Sequence, residues 1–230
     1  MGSNPEITHV ATGDLHISVL PQETQAAFAT CLDFDFLLPD WYLAGGTSLA
    51  LQVGHRSSED LDFFTHQRDF DLASLENTLL QRGDWETSQT QAGTLCGIFQ
   101  GAKVSFISYP FFHPSPMRMQ CGMVRMLLPD DIMTMKILAI SQRGKKRDFV
   151  DMYWYCAVHG ASLAETIRRT VAQFPERKHN VPHVLKSLVY FDDAEEDAMP
   201  DLHFTAGWEE IKAYFRREIP KIATELLGLS

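Results

Sequence analysis

The chain has 230 residues, 45% hydrophobic and 11% aromatic, and its 30 Asp+Glu outweigh 20 Lys+Arg to give a formal net charge of -10. That apolar content suffices for one domain, alone or with a helical appendage, and excludes disorder, collagen-like repeats and small disulfide scaffolds. The charge excludes general coating of nucleic acid, because phosphate repels the average surface and a polynucleotide partner must meet a local basic patch.

Apolar runs fall well short of the roughly 18 residues a membrane helix needs, and no basic-then-apolar signal precedes Pro21. A cytoplasmic protein without a membrane partner is expected. Cys31, Cys96, Cys121 and Cys156 form no C-x-x-C pair, which argues for reduced core thiols rather than a zinc ribbon or redox site. Pro182 interrupts the spacing of His179 and His183, so they do not read as a helical zinc pair.

In chain order, residues 1–20 either lie over the surface or add an edge strand. The segment from Pro21 has helical spacing through Ala26, Phe28, Cys31 and Leu32, and Pro39 follows as a stop. Trp41 to Ala44 reads as a short strand ending on Gly45 and Gly46. Thr47 or Ser48 is expected to cap the next helix, which Gly54 closes. Leu61 to Phe64 is a second strand. Asp71 to Gly83 reads as an amphipathic helix with Leu72, Leu75, Leu79 and Leu80 on one face.

Three strand-like runs with glycine turns follow: WETSQTQ, TLCGIFQG and AKVSFISYP. After MVRMLL the chain reads as helices over Asp130 to Gln142, Arg147 to His159, Leu163 to Phe174, Val184 to Tyr190 and Trp208 to Leu227. The last of these has an apolar stripe through Trp208, Ile211, Tyr214 and Phe215, expected to pack internally, and Pro220, expected to bend it. The layout is α+β: a mixed sheet with flanking helices over residues 1–128, then a helical C-terminal half over 129–230.

Asp60 and Asp62 flank Leu61, and the period of two in a strand points both carboxylates to one face. Two solvated surface acids are the plain alternative. A divalent cation would relieve their repulsion, and magnesium or manganese takes carboxylate oxygens. Upstream, a strand that enters Gly45, Gly46, Thr47 and Ser48 and then a helix offers backbone N–H groups to phosphate. Glycines also simply turn strands into helices, but beside a paired-Asp strand they describe a phosphate cradle facing a metal site, which is the chemistry of nucleotidyl transfer.

The run LAGGTSLALQVGHRSSEDLDFF, Leu43 to Phe64, resembles the signature of the AbiEii/AbiGii-type toxin nucleotidyltransferases, within the DNA polymerase beta-like superfamily. MKILAISQRGKKRDFVDMYWY, Met135 to Tyr155, is similar to the family's later motifs, a lysine on one helix and Arg-Asp-x-x-Asp on the next. Together the resemblance spans roughly residues 40–160. It implies a nucleotidyltransferase-like fold with Lys136 and Asp148 joining Asp60 and Asp62 in catalysis. It further implies nucleotide contacts from Gly45, Gly46, Thr47, Ser48, Arg56 and Lys136. It also implies a nucleoside triphosphate donor, a transfer RNA acceptor, and an antitoxin encoded alongside.

Read on its own, Lys136 is the only charge in the apolar stretch IMTMKILAI, and a buried ammonium is costly unless it meets an anion, so it either snorkels to the surface or reaches the site and contacts the triphosphate. Asp148, Asp151 and Tyr155 share one helix face. Asp151 either supports the site or is exposed. The strand KVSFISY carries Ser105 where superfamily members often place a third metal-binding carboxylate. That departure keeps open a second function, a catalytically inactive nucleotide- or partner-binding module on the same fold. No nucleophile motif supports a serine or cysteine hydrolase. Arg143, Lys145, Lys146 and Arg147 cluster between the motif helices, either as a solvated loop or as an RNA contact that Arg56, Arg118 and Arg125 could widen.

Overall fold

The computed structural model describes residues 6–176 and 180–228. His179 lies outside the described residues. The chain divides into two compact units, residues 1–129 and 130–230.

The first unit is built on an eight-stranded mixed sheet in the order β1-β7-β8-β2-β3-β6-β5-β4. The strands are β1 (Glu6–His9), β2 (Trp41–Ala44), β3 (Leu61–Thr65), β4 (Trp85–Gln91), β5 (Thr94–Phe99), β6 (Ala102–Ser108), β7 (Met117–Cys121) and β8 (Val124–Leu127). Helices α1 (Gln22–Cys31), α2 (Gly45–Val53) and α3 (Leu72–Arg82) connect them. At the centre, β2 runs antiparallel to β3, which is parallel to β6.

The alternation in Leu61-Asp62-Phe63-Phe64-Thr65 decides which face of β3 is core. Leu61, Phe63 and Thr65 are buried and Asp62 and Phe64 are half-buried. On the core face, Phe63 stacks on Phe106 of β6 with centroids 5.2 Å apart, and Trp41 meets Phe106 edge-on at 5.1 Å. Leu43, Leu95, Val104 and Met126 complete that layer. All four residues of β2 are buried, as a central strand requires.

Where the sequence reading and the fold differ, local geometry gives the reason. Helix α2 begins at Gly45, so Thr47 and Ser48 lie inside it and neither caps it. Both side chains are buried and bond inward. Gly54 ends the helix in the left-handed conformation (φ +67°), as expected. On α3, Leu75 and Leu79 are buried but Leu80 is 54% exposed, because a residue directly after a core position turns about 100° away from it. Residues 6–9 do form an edge strand, parallel to β7. The unpredicted β7 pairs antiparallel with β8.

Strand β4 is the far edge, and its pairing with β5 slips between Thr87 and Gln89. Inside this hairpin Gly97 is required sterically. A Cβ there would lie 2.5 Å from both the Glu86 carbonyl oxygen and the Trp85 ring.

The second unit is helical: α4 (Pro129–Arg143), α5 (Lys146–Tyr153), α6 (Leu163–Gln173), α7 (Val181–Ser187), α8 (Asp192–Glu195) and α9 (Trp208–Leu227). The helix expected over Arg147 to His159 is α5 followed by one wide π turn, Trp154–Val158. Asn180 caps α7 by accepting from the His183 N–H, so this helix starts before Val184 and holds Pro182 in its first turn. Phe149 anchors the core, 5.5 Å from Phe215 and 5.9 Å from Trp208 of α9. That contact places the predicted stripe of α9 inward, and the helix continues through Pro220. No helix among the described residues is long and apolar enough to cross a membrane.

All four cysteines are free. Burial pushes the Cys31 and Cys156 thiols up to about 12, while Cys96 on β5 is partly accessible. Alkylation of the native protein near neutral pH, read by peptide mass spectrometry, should therefore modify Cys96 first and leave Cys31 and Cys156 protected. Gly97→Ala should cost about 1–3 kcal/mol by overpacking, measured by urea unfolding. Gly13→Ala, where nothing lies within 4 Å of the added carbon, should leave the midpoint nearly unchanged.

Candidate active site

In the first unit the site is set by strand register. Ala44, the last residue of β2, pairs with Asp62, and on its other side Asp62 pairs with Ser105 of β6. The chain turns from Ala44 directly into α2 with Gly45 at φ +74°, a conformation that favours glycine. A Cβ at Gly45 would lie 3.3 Å from Asp62 Oδ2. The first turn of the helix thus abuts a carboxylate, with room that any other residue would fill.

No side chain caps that turn. The Thr47 and Ser58 hydroxyls share a 2.8 Å hydrogen bond, and Ser48 Oγ accepts from Gln52 Nε2 at 3.2 Å. Among the expected phosphate contacts, Thr47 and Ser48 therefore direct their hydroxyls inward, and the backbone N–H groups of the turn are what the loop can offer an anion. Arg56 is buried and donates to the Ser57 carbonyl oxygen at 2.8 Å.

Asp60 lies just before β3, two residues from Asp62, with its Oδ1 shielded from solvent. Two carboxylates and the neighbouring Ser105 hydroxyl are hard oxygen donors that suit magnesium or manganese, and the space at Gly45 leaves Asp62 approachable. Among the described residues no group of three or more His, Cys, Asp or Glu side chains gathers as a metal site. A cation held here would complete its shell with substrate phosphate and water oxygens. On the same sheet face as Asp62, Tyr42 stacks with Phe64 at 6.2 Å and Arg118 lies over the Tyr42 ring. Sequence reasoning assigned no role to Tyr42 or Phe64, although the alternation that exposes Asp62 also points Phe64 to that face.

In the second unit, Lys136 of α4 is buried and does not snorkel. Its Nζ lies 2.6 Å from Asp148 Oδ1 and 2.7 Å from Asp151 Oδ2, and all three side chains are buried. Asp151 is thus no surface residue but half of the clamp, and its spacing of three from Asp148 on one helix is the signal that identifies it. Asp148 also gains from its place in the first turn of α5, where the helix dipole favours a carboxylate. Its Oδ2 is buried and has no hydrogen-bond partner among the described residues.

One member of the basic cluster leaves the surface. Lys146 is buried, donating to the Glu195 and Asp197 carbonyl oxygens and lying 5.2 Å from the Trp208 ring centroid. Lys145 pairs with Asp197 at 3.2 Å. Arg143, Lys145 and Arg147 remain exposed. In the first unit Arg118 is buried against the Ser115 and Met117 carbonyls, and Arg125 donates to Gln120 Oε1 and the Pro39 carbonyl. Arginines of this kind hold loops and add little to a patch for phosphate.

Residues 27–84 and 104–225 match the family model described as nucleotidyl transferase AbiEii toxin, type IV toxin–antitoxin system. An uncharacterized protein of Aquifex aeolicus (strain VF5) is 35% identical over 185 residues, covering 78% of this chain and 86% of that protein. Among solved structures, an H. pylori protein provisionally described as a nucleotidyltransferase aligns with a TM-score of 0.52 at 17% identity, covering 91% of this chain and 99% of that one. MenT4, a nucleotidyltransferase toxin from Mycobacterium tuberculosis H37Rv, aligns with a TM-score of 0.52 at 14% identity, covering 88% and 86%. These likenesses establish a nucleotidyltransferase-like fold, and the family match over most of its length makes this chain a member of the AbiEii nucleotidyltransferase toxin family.

Proposed function

We propose that the protein transfers a nucleotidyl group from a nucleoside triphosphate to an acceptor hydroxyl, with magnesium or manganese at Asp60 and Asp62. The observation that carries the reading is the uncapped start of α2 against Asp62, with Gly45 leaving the approach open. The acceptor oxygen attacks the α-phosphorus, the bond to the bridging oxygen breaks, and pyrophosphate leaves with that electron pair. A bound divalent cation would supply charge neutralisation for the phosphates. The amides of the Gly45 to Ser48 turn bind phosphate oxygens, and Asp60 and Asp62 position the charge they need. The family resemblance assigns Asp148 a part in the transfer, although its carboxylate is buried against Lys136, and the proton of the acceptor hydroxyl passes to water. Lys136, already neutralised by two carboxylates, is assigned to holding Asp148 rather than to gripping the triphosphate.

The acceptor we infer is an RNA end, transfer RNA foremost, met through Arg143 and Arg147 rather than through the whole basic turn. The family's toxin–antitoxin setting supports a cognate antitoxin as partner. Ser105 beside Asp62, in place of a carboxylate, favours the second reading, a nucleotide-binding module without turnover.

Asp62→Asn should abolish transfer of label from radiolabelled nucleoside triphosphates to total transfer RNA while circular dichroism and the unfolding midpoint stay near wild type. Full transfer by that variant would reject the metal-carboxylate mechanism, and metal-dependent calorimetric binding without transfer by the wild type would select the second reading. Lys136→Met should behave differently. It leaves two buried carboxylates without their cation, so unfolding stability should fall by about 3–5 kcal/mol, whereas Asp148→Asn, which keeps the side chain's shape, should lose transfer with a smaller stability loss.

A further inference from the structure

The second unit contains a polar cleft of about 310 Å³ to which no role has been given, lined by Asp130, Tyr155, His159, Ser162, Glu165 and Arg169 among others. It is formed where the π turn after α5 meets the first two turns of α6. The turn widens the helix by one residue and brings Tyr155 and His159 to one side. The His159 ring lies nearly parallel to Trp154, at 5.4 Å and 12°, and to Tyr155, at 5.9 Å and 25°. His159 is exposed and its ring nitrogens form no hydrogen bond among the described residues.

The floor is fixed. Tyr155 donates from its hydroxyl to Asp130 Oδ1, and Arg169 donates from Nη1 to Asp130 Oδ2. Burial works against ionisation of Asp130, but these two donors and the arginine charge outweigh it and hold the carboxyl below its usual range. Burial and the same carboxylate push the Tyr155 hydroxyl up, so it stays a donor. Arg169 keeps Nη2 and Nε without hydrogen bonds among the described residues, and the exposed Glu165 is held only by a long contact from Arg168, 3.4 Å.

The lining selects its ligand by three constraints. The volume lies at the lower end of the roughly 300–1,000 Å³ of small-molecule sites, enough for one ring system rather than a whole triphosphate. One guanidinium stands against two carboxylates, a balance that disfavours a free phosphate. Aromatic rings beside both donors and acceptors suit a flat, neutral heterocycle. We infer that this cleft binds a nucleobase, stacked near His159, with its exocyclic amine donating to Glu165 and its ring acceptors meeting Arg169. The choice of a nucleobase over other heterocycles rests on the nucleotidyl-transfer reading. A base with an exocyclic amine satisfies the carboxylate, as cytosine N4 does for Glu in groove recognition. Uracil would turn a carbonyl oxygen toward it.

Calorimetry of the full chain with the four ribonucleosides, free of phosphate and metal, tests this apart from catalysis. Guanosine, adenosine and cytidine should bind at least about fivefold more tightly than uridine, Glu165→Gln should erase that preference, and His159→Ala should weaken all four about fivefold or more. Unchanged affinities in both variants, or no binding of any nucleoside at about 10 mM, would overturn the inference. Both residues are exposed, so the variants should fold. The source of the base is then read from transfer by Glu165→Gln. A shift in preference among competing triphosphates assigns the cleft to the donor, and an unchanged preference with a raised KM for RNA assigns it to the acceptor. Transfer identical to wild type in both respects would overturn a role for the cleft. If neither wild type nor variants transfer, the nucleotidyl-transfer reading fails while calorimetry still decides nucleoside binding.

Discussion

The constraint on which the first unit depends is the antiparallel register of β2 and β3, which sets Ala44 opposite Asp62. A slip of one residue would turn Asp62 into the aromatic core and Phe63 out of it. The stacking of Phe63 on Phe106 opposes that slip, so hydrophobic packing on one face of the sheet fixes the carboxylate on the other. The same pairing ends β2 level with Asp62, and the left-handed Gly45 then lets a helix start against the acid instead of passing over it. Fold and candidate chemistry share one set of contacts here.

The second unit solves a different problem. A lysine inside an apolar helix would be too costly unless its charge were matched, and Asp148 with Asp151 matches it from the next helix. Two carboxylates around one ammonium leave a buried net negative charge. Placing Asp148 in the first turn of α5 offsets part of that cost through the helix dipole. Such a cluster is sensitive to the loss of any member, which joins the integrity of the helical unit to the residues the family resemblance singles out.

Much of this was legible in the sequence because the signals were local. Alternation in LDFFT, the Gly-Gly turn, Gly54 as a helix stop and the helical spacing of α1, α4, α6 and α9 all act within a few residues. What escaped depended on partners distant in sequence. Thr47 and Ser48 looked like caps because hydroxyls at a helix start usually are, yet Ser58 and Gln52 claim them. The lysines and arginines of residues 143–147 looked like one open patch, yet Asp197 pairs with Lys145 and the Trp208 ring helps bury Lys146. Strand β7 carries methionine, arginine and glutamine, and its pairing with β8 on one side and β1 on the other makes it a strand.

The bulge at Thr87 to Gln89 has a consequence beyond the hairpin that contains it. Strand β4 closes one side of the sheet and presents backbone groups that another chain could extend. An interrupted ladder gives an incoming strand no continuous template, and the largely exposed polar side chains from Glu86 to Gln91 add no apolar surface to hold it. The β4 edge is thereby shaped against pairing with another strand.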